Sequence, residues 1–522
     1  DDPKGFWKCI KNLGRKEQKS SGISPNEWFS HFKNLLSQES TADKGFQEFV
    51  NKKLEANDNE CDMHIDVDAA ESYVLNREIG IEELIKTVKA LPDGKSPGEE
   101  GMIYEVFKAG LTEFGVCIVH IFNRIMHSGE FPESWAKGLL CTLHKKGSTR
   151  DPNNYRGISL LPCLSKIFCK LLNNRLVKFA ELMDLQHEEQ AAYRKGYSTI
   201  DQIFVLQSLV QKQTCQKNGR YYMIFIDFQK AFDSVPHNLL LYTLLKHGIH
   251  GRIFTVIKSL YSKLKSSIRV KEGVTECFDC TIGTRQGCML SPFMFTLYMN
   301  ELIEMLQCFD CKGTYVCEEA KNIMILMYAD DVAEGANAVK RLQDMIDVLN
   351  EFCLKWGLRV NMDKTRIVVF RRGGKIKKNE KWQLNGADIV VVPMYKYLGI
   401  VFTCQLNWGK AVYTLSMQAR KAIGMINSYS IKCGGLPVKI AFQLFDKMVV
   451  PIMLYGSEVW GYKYYKVIED VQTYFCKILL GLPKQTSINA VVGDCGRFLL
   501  AEKYYKRCLK YWFKILEMPN SR

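Results

Sequence analysis

Residues 323–333 of this 522-residue chain read Ile-Met-Ile-Leu-Met-Tyr-Ala-Asp-Asp-Val-Ala. Two adjacent carboxylates, Asp330 and Asp331, interrupt an apolar run. A carboxylate inside a hydrophobic strand pair is costly unless it is paired or coordinated. One resolution is a tight turn between two strands, which Asp favours. The other is a metal ion, because hard cations such as Mg²⁺ take carboxylate oxygens. Successive strand residues point to opposite faces. The two side chains therefore converge only if the pair lies in or beside a turn; otherwise Asp330 is the ligand and Asp331 is peripheral.

A third carboxylate, Asp227, ends another apolar stretch, YYMIFIDF at 221–228. If the two apolar stretches are neighbouring strands, Asp227, Asp330 and Asp331 supply donors for two divalent ions, the arrangement that serves in-line phosphoryl transfer. Asp233 lies just before a helix expected over 235–247, with Pro236 in its first turn. It reads as an N-cap, as does Ser234, rather than as a ligand.

Composition narrows the setting. Hydrophobic residues make up 47% of the chain, enough for large cores, and Lys plus Arg exceed Asp plus Glu by 71 − 56 = 15. That surplus suits a phosphate backbone or an anionic membrane, although ordinary solubility charge gives the same sum. No apolar run approaches the roughly 20 residues of a membrane span. The opening DDPKGFWKCI is not a secretory signal and lacks Met, so the chain reads as an excised region. Nineteen Cys without a disulfide rhythm suit a reducing compartment. The two CxxC pairs, Cys277/Cys280 and Cys308/Cys311, have a spacing that zinc sites use. Each brackets a Phe-Asp between strand-like and helix-like stretches, which disfavours zinc.

The chain predicts an α+β fold with a central antiparallel sheet and helices around it. Strands are expected over 138–147, 221–228, both sides of 328–331, 357–370 and 394–402, and helices over 81–91, 101–127, 293–306, 336–356 and most of the chain after 408. Residues 371–378 (RRGGKIKK) read as a basic hairpin tip. Residues 1–75 read as a helical extension or linker anchored by Trp7, Trp28, Phe29 and Phe32.

The segments FIDFQKAFDSVPH (225–237), TRQGCMLSP (284–292), YADD (328–331), GLRVNMDKT (357–365) and YKYLGI (395–400) together resemble the ordered motifs of a reverse transcriptase, specifically that of non-LTR, LINE-type retrotransposons. GKSPGEEG (94–101), LHKKGSTRDPNNYRGISLL (143–161) and EEQAAYRKGYSTIDQIF (188–204) agree. The resemblance spans about 80–480 and implies a right-hand polymerase: fingers with the start of the palm at 76–220, palm at 221–404, and a helical thumb at 405–522. It implies that Asp227, Asp330 and Asp331 hold two Mg²⁺ ions, with Mn²⁺ as a substitute. Lys364 would protonate the leaving pyrophosphate, with a solvated strand-edge Lys as the plainer reading. Lys145 or Lys146 and Arg156 would grip the triphosphate. Phe232 would lie under the incoming sugar and reject a 2′-hydroxyl, while Gln286 and Gly287 would border the nascent base pair. Tyr397, Leu398 and Gly399 would form the primer grip.

The implied activity is RNA-directed DNA synthesis from a DNA 3′-hydroxyl in nicked target DNA, with RNA template, DNA primer and dNTPs as partners and a ribonucleoprotein in nucleus and cytoplasm. Because no nuclease-like stretch precedes residue 80, an endonuclease is expected on flanking sequence. The chain departs from the family at Pro97-Gly98-Glu99-Glu100, Gly157 and Met289, where a Pro-Asp, a Pro and a Pro are usual. Those departures raise the rival reading of an inactive RNA-binding remnant, against which all three carboxylates stand. A maturase or retron-type enzyme would share the palm but not the form of 188–204 and 230–237. Candidate nucleic-acid contacts are Arg371, Arg372, Lys375, Lys377 and Lys378, then Arg420 and Lys421, then the tail Lys503, Lys506, Arg507 and Lys510. In the tail, a helix packing its Tyr and Trp inward is the favoured reading.

Overall fold

The computed structural model describes residues 22–60, 70–315 and 322–518, together with Gly5. Trp7 lies outside them. The fold is mixed helix and sheet. Two sheets position the site. In the first, β1 (Lys137–His144) pairs antiparallel with β2 (Tyr155–Leu160) and parallel with β4 (Lys265–Val270). The second is antiparallel, with β3 (Arg220–Ile226) flanked by β6 (Asp331–Ala336) and β7 (Arg366–Arg371), and β5 (Ile325–Tyr328) outside β6.

The second sheet is buried on both faces, which is why its strands read as continuous apolar runs rather than alternating ones. Ile224, Ile226, Val332, Ile367 and Val369 face the larger core, shared with the helices His237–Lys246, Ser291–Cys308 and Val339–Trp356. Tyr221, Met223, Phe225, Leu326, Ala333, Val368 and Phe370 face a second core built from Thr199–Cys215, the long helix Trp408–Lys432 and the helices that follow.

Several expectations need correction. The stretch 394–402 is two strands, β8 (Met394–Tyr397) and β9 (Ile400–Thr403), turning at Leu398 (φ 44°) and Gly399 (φ 87°). The helix at 101–127 breaks at Gly110 into Tyr104–Ala109 and Leu111–Ser128. Residues 372–378 form a loop that does not pair back on β7; Arg371 closes it by donating from Nε to the Gly374 carbonyl at 2.9 Å. The N-terminal helices are no free linker. Pro25–Leu36 buries Trp28 and Phe32 against Leu140 and Ile268, and Phe46 of Lys44–Glu60 packs edge-on against Trp356 at 5.2 Å. In the last helix, Leu500–Leu516, Tyr504 and Tyr511 are buried, but Trp512 and Phe513 are exposed, so the inward packing expected there holds for only part of its aromatic set. Among the described residues, no helix is long and apolar enough to cross a membrane.

Candidate active site

The site begins with register. β3 and β6 pair Phe225 with Ala333 and Ile226 with Val332, so one step further Asp227 stands across from Asp331. Directly opposed residues share a sheet face. β5 and β6 close at Tyr328–Asp331, leaving Ala329 and Asp330 as a two-residue hairpin loop. The condition for convergence is therefore met: one Asp is in the turn and the other beside it. Ala329 takes a left-handed φ of 58°, uncommon for a residue with a Cβ.

Asp227 and Asp330 line a cleft of about 1020 Å³. Lys145, Lys146, Arg156, Phe232, Gln286, Gly287 and Lys364 line the same cleft. Asp331 does not. Its charge reaches the neighbouring rings: burial pushes the Tyr395 and Tyr397 phenols up, with Asp227 and then Asp331 adding to it at Tyr395 and Asp331 at Tyr397.

The carboxylates are held differently. Asp227 Oδ2 accepts from Lys364 Nζ at 2.7 Å and from Asn361 Nδ2 at 3.1 Å, and its backbone carbonyl accepts from Asn361 N at 2.7 Å. Burial pushes the Asp330 carboxyl up, with the Asp227 charge adding to it and Arg156 and Lys145 opposing. Asp331 opens to solvent, yet the protein around it, then Asp330 and Asp227, push its carboxyl up to about 6. Like charges brought together behave this way until a cation joins them. In the same cleft, burial and the neighbouring Arg156 and Lys364 push Lys145 down, with the Asp227 charge opposing.

Three neighbours complete the cleft. Phe232 stacks on Phe295 with centroids 4.0 Å apart, so it is both a core ring and a cleft wall. Gly287 sits at φ 117°, and a Cβ there would lie 2.5 Å from the Ser159 carbonyl oxygen. The close approach that needs this glycine is to the chain's own β2. Asp233 is not a helix cap: Pro236 occupies the N-cap position of His237–Lys246, and Asp233 accepts from Gln286 Nε2 at 2.7 Å. Burial pushes its carboxyl up to about 6.

The other expected contacts are dispersed. Tyr397 is buried, packing on Phe225 at 5.4 Å, so only Leu398 and Gly399 of that trio lie at the turn, where the Leu398 carbonyl accepts from Tyr455 Oη at 2.9 Å. Arg420 lies over the Tyr474 ring at 4.8 Å, and Lys421 is exposed beside it. Arg372 donates to Cys215 Sγ at 3.1 Å and Lys375 is exposed. Of the CxxC residues, Cys280 donates to Ser266 Oγ at 3.2 Å, and Cys308 and Cys311 flank the end of a helix.

The residue types at the cleft fit divalent cations, since all three carboxylates are hard oxygen donors and the Lys364 ammonium already sits where Asp227 would receive positive charge. A second ligand-like cluster, His247, Glu301 and Glu304, lies elsewhere. There Lys246 Nζ already donates to both carboxylates at 2.6–2.9 Å, so that cluster is an ion-pair lock.

Sequence reasoning passed over Asn361, which orients Asp227, and Gln190, whose side chain reaches the turn at Ala329. Both lie inside motifs quoted above, but nothing local marks their partners.

A family model described as reverse transcriptase (RNA-dependent DNA polymerase) matches residues 143–402. The chain is 26% identical over 397 residues to the probable RNA-directed DNA polymerase from transposon BS of Drosophila melanogaster, covering 74% of this chain and 42% of that protein. It is 24% identical over 460 residues to the RNA-directed DNA polymerase from mobile element jockey of the same organism (85% and 48%). It is 26% identical over 430 residues to the Pol polyprotein of type-1 retrotransposable element R1 of Bradysia coprophila (80% and 40%). The chain thus spans under half the length of these relatives. A solved telomerase of Candida tropicalis bound to a fragment of telomeric RNA overlaps 77% of this chain and 67% of its own at 14% identity, with a TM-score of 0.40, too distant to bear on the fold. Residues 143–402, which carry Asp227, Asp330 and Asp331, belong to the reverse transcriptase family, and the relatives to which the chain is similar are polymerases of non-LTR, LINE-type retrotransposons.

Proposed function

We propose that this chain is an RNA-directed DNA polymerase that extends a DNA 3′-hydroxyl along an RNA template by two-metal nucleotidyl transfer. The single observation that supports it most is the meeting of Asp227 and Asp330 in one cleft with Lys145, Arg156 and Lys364. In this reading 221–404 is the palm, 76–220 carries the fingers, and the helices after 405 form the thumb of a right-hand polymerase.

Two Mg²⁺ ions held by Asp227, Asp330 and Asp331 would acidify the primer hydroxyl and stabilise the leaving oxygen. The chain's own residues do the rest. Lys145 and Arg156 neutralise and orient the triphosphate, since fixed cations suit that charge. Lys364 shifts from Asp227 to donate a proton to the departing pyrophosphate as the primer oxygen–phosphorus bond forms and the α–β bond breaks. The Phe232 ring stands against a ribose 2′-hydroxyl and so favours deoxynucleotides.

Partners in this reading are an RNA template, a primer in nicked target DNA and dNTPs, with an endonuclease encoded on flanking sequence and a ribonucleoprotein passing between cytoplasm and nucleus. Loops bearing Arg371, Arg372 and Lys375, and the helix face with Arg420 and Lys421, supply phosphate contacts. The test is Asp330→Asn: DNA primer extension on poly(rA) with Mg²⁺ and dTTP is abolished while RNA binding persists. Full activity in that variant refutes the metal assignment.

A further inference from the structure

The hairpin that carries Asp330 is braced by a segment distant in sequence. Gln190 forms a parallel bridge with Met327, the last residue before Tyr-Ala-Asp-Asp. On either side of it, Met327 N donates to the Glu189 carbonyl at 2.8 Å and Ala191 N donates to the Met327 carbonyl at 3.0 Å. The brace is itself fixed. Glu188 receives Arg194 at 3.1 Å and the Tyr197 hydroxyl at 2.7 Å, Arg194 also donates to the His187 carbonyl at 2.7 Å, and Gln202 donates to the Glu189 carbonyl at 3.0 Å.

From this brace the Gln190 side chain, 1% exposed, reaches the turn. Its Oε1 accepts from Ala329 N at 3.0 Å and from Ala192 N at 3.1 Å. Two N–H donors on one atom fix which end of the carboxamide is oxygen. The other end, Nε2, is buried without a hydrogen-bond partner. A buried orphan donor costs about 1–3 kcal/mol. An apolar side chain of the same size would avoid that cost, so what the amide supplies here is its oxygen.

The recipient is the residue that needs it. Ala329 is 6% exposed, so its N–H has no ready access to water, and it holds the left-handed φ of 58°. That conformation costs a residue with a Cβ about 1–2 kcal/mol. The backbone of Ala329 sets the direction in which Asp330 leaves the turn.

We infer that Gln190 is a positioning residue for the metal-binding centre: its Oε1 holds Ala329 in the left-handed conformation that aims the Asp330 carboxylate into the cleft beside Asp227. Without that bond the turn relaxes and Asp330 is lost as a ligand, although the rest of the fold is intact. The inference rests on the proposed function, in that it takes Asp330 as a metal ligand.

The test uses Gln190→Met, which keeps the length and burial and removes the acceptor, with wild type and Asp330→Asn beside it. Three quantities are measured: Mn²⁺ binding by electron paramagnetic resonance, the Mg²⁺ concentration for half-maximal dTTP incorporation, and the thermal midpoint. Gln190→Met weakens Mn²⁺ binding and lowers kcat roughly 10–100-fold, the scale of a misplaced catalytic group. The Mg²⁺ requirement rises, and primer–template KM stays unchanged. Because glycine adopts left-handed φ without penalty, adding Ala329→Gly to Gln190→Met restores part of the lost Mn²⁺ affinity and kcat, and adding it to Asp330→Asn restores neither. The double variant also serves if Gln190→Met alone does not fold. Wild-type Mn²⁺ affinity and Mg²⁺ requirement in Gln190→Met, or losses that follow only the thermal midpoint, overturn the inference. A wild-type protein that binds Mn²⁺ in an Asp330-dependent way but extends no primer refutes the polymerase reading alone, and Mn²⁺ binding still decides the role of Gln190.

Discussion

Glu334 lies three residues beyond Asp331 on the same strand, between Ile224 and Ile325, and faces the larger core. It is 0% exposed, and neither carboxylate oxygen has a hydrogen-bond partner. Burial pushes its carboxyl up to about 8 from an ordinary value of 4.5. The titratable groups whose thiols feel its charge, Cys311 and Cys353, are pushed up to about 11 and about 12, so they stay neutral where Glu334 titrates.

The sign follows from linkage. The folded-state value is raised, so this group's contribution to stability is full below pH 4.5 and is lost as pH rises, levelling off only above about 8. One pH unit is worth about 1.4 kcal/mol, so between pH 5 and pH 7 the loss comes to about 2–3 kcal/mol, allowing for partial titration near 4.5. Glu334→Met fills a similar volume and removes the titration. Urea unfolding of both proteins at pH 5, 6 and 7 is the assay. The variant gains on wild type by about 2–3 kcal/mol between pH 5 and pH 7, with m unchanged. Parallel stability–pH curves for the two proteins refute the reasoning, because they mean that Glu334 is solvated or paired.

Three further outcomes follow from the site. Asp331→Asn retains measurable extension and Asp330→Asn does not, in side-by-side steady-state assays, because only Asp330 lines the cleft with Asp227; equal loss in both contradicts this ranking. Phe232→Val admits ribonucleotides, raising rNTP over dNTP incorporation roughly tenfold or more in competition assays. Gly287→Ala drives a Cβ into the Ser159 carbonyl at a disfavoured φ and lowers stability by about 3 kcal/mol, read from urea midpoints.

The sequence carried the parts of the site whose signals are local. An apolar strand ending in Asp227, a second run broken by Asp330-Asp331, and the cationic loops around Lys145, Arg156 and Lys364 are each readable within about ten residues. The convergence condition for Asp330 and Asp331 could be stated in advance because side-chain alternation in strands is geometric, and the register met it. What escaped depends on partners far along the chain. Asp233 looks like a cap until Gln286, 53 residues later, takes its carboxylate. Gln190 reaches Ala329 across 139 residues. Gly287 looks like a place for a nucleotide to approach, yet the backbone that approaches it is that of Ser159. Tyr397 reads as a surface grip, but its ring completes the core against Phe225. The N-terminal helices read as a linker because their polar composition hides two small apolar faces, Trp28 with Phe32 and Val50 with Leu54, each buried against the body.

The central claim is that this cleft copies RNA into DNA. The most direct measurement gives the purified chain a heteropolymeric RNA annealed to a DNA primer, with Mg²⁺ and all four dNTPs, and sequences whatever is added to the primer. The account predicts DNA complementary to the RNA, absent from the Asp330→Asn protein. An unextended primer, or an extension whose sequence ignores the template, contradicts it.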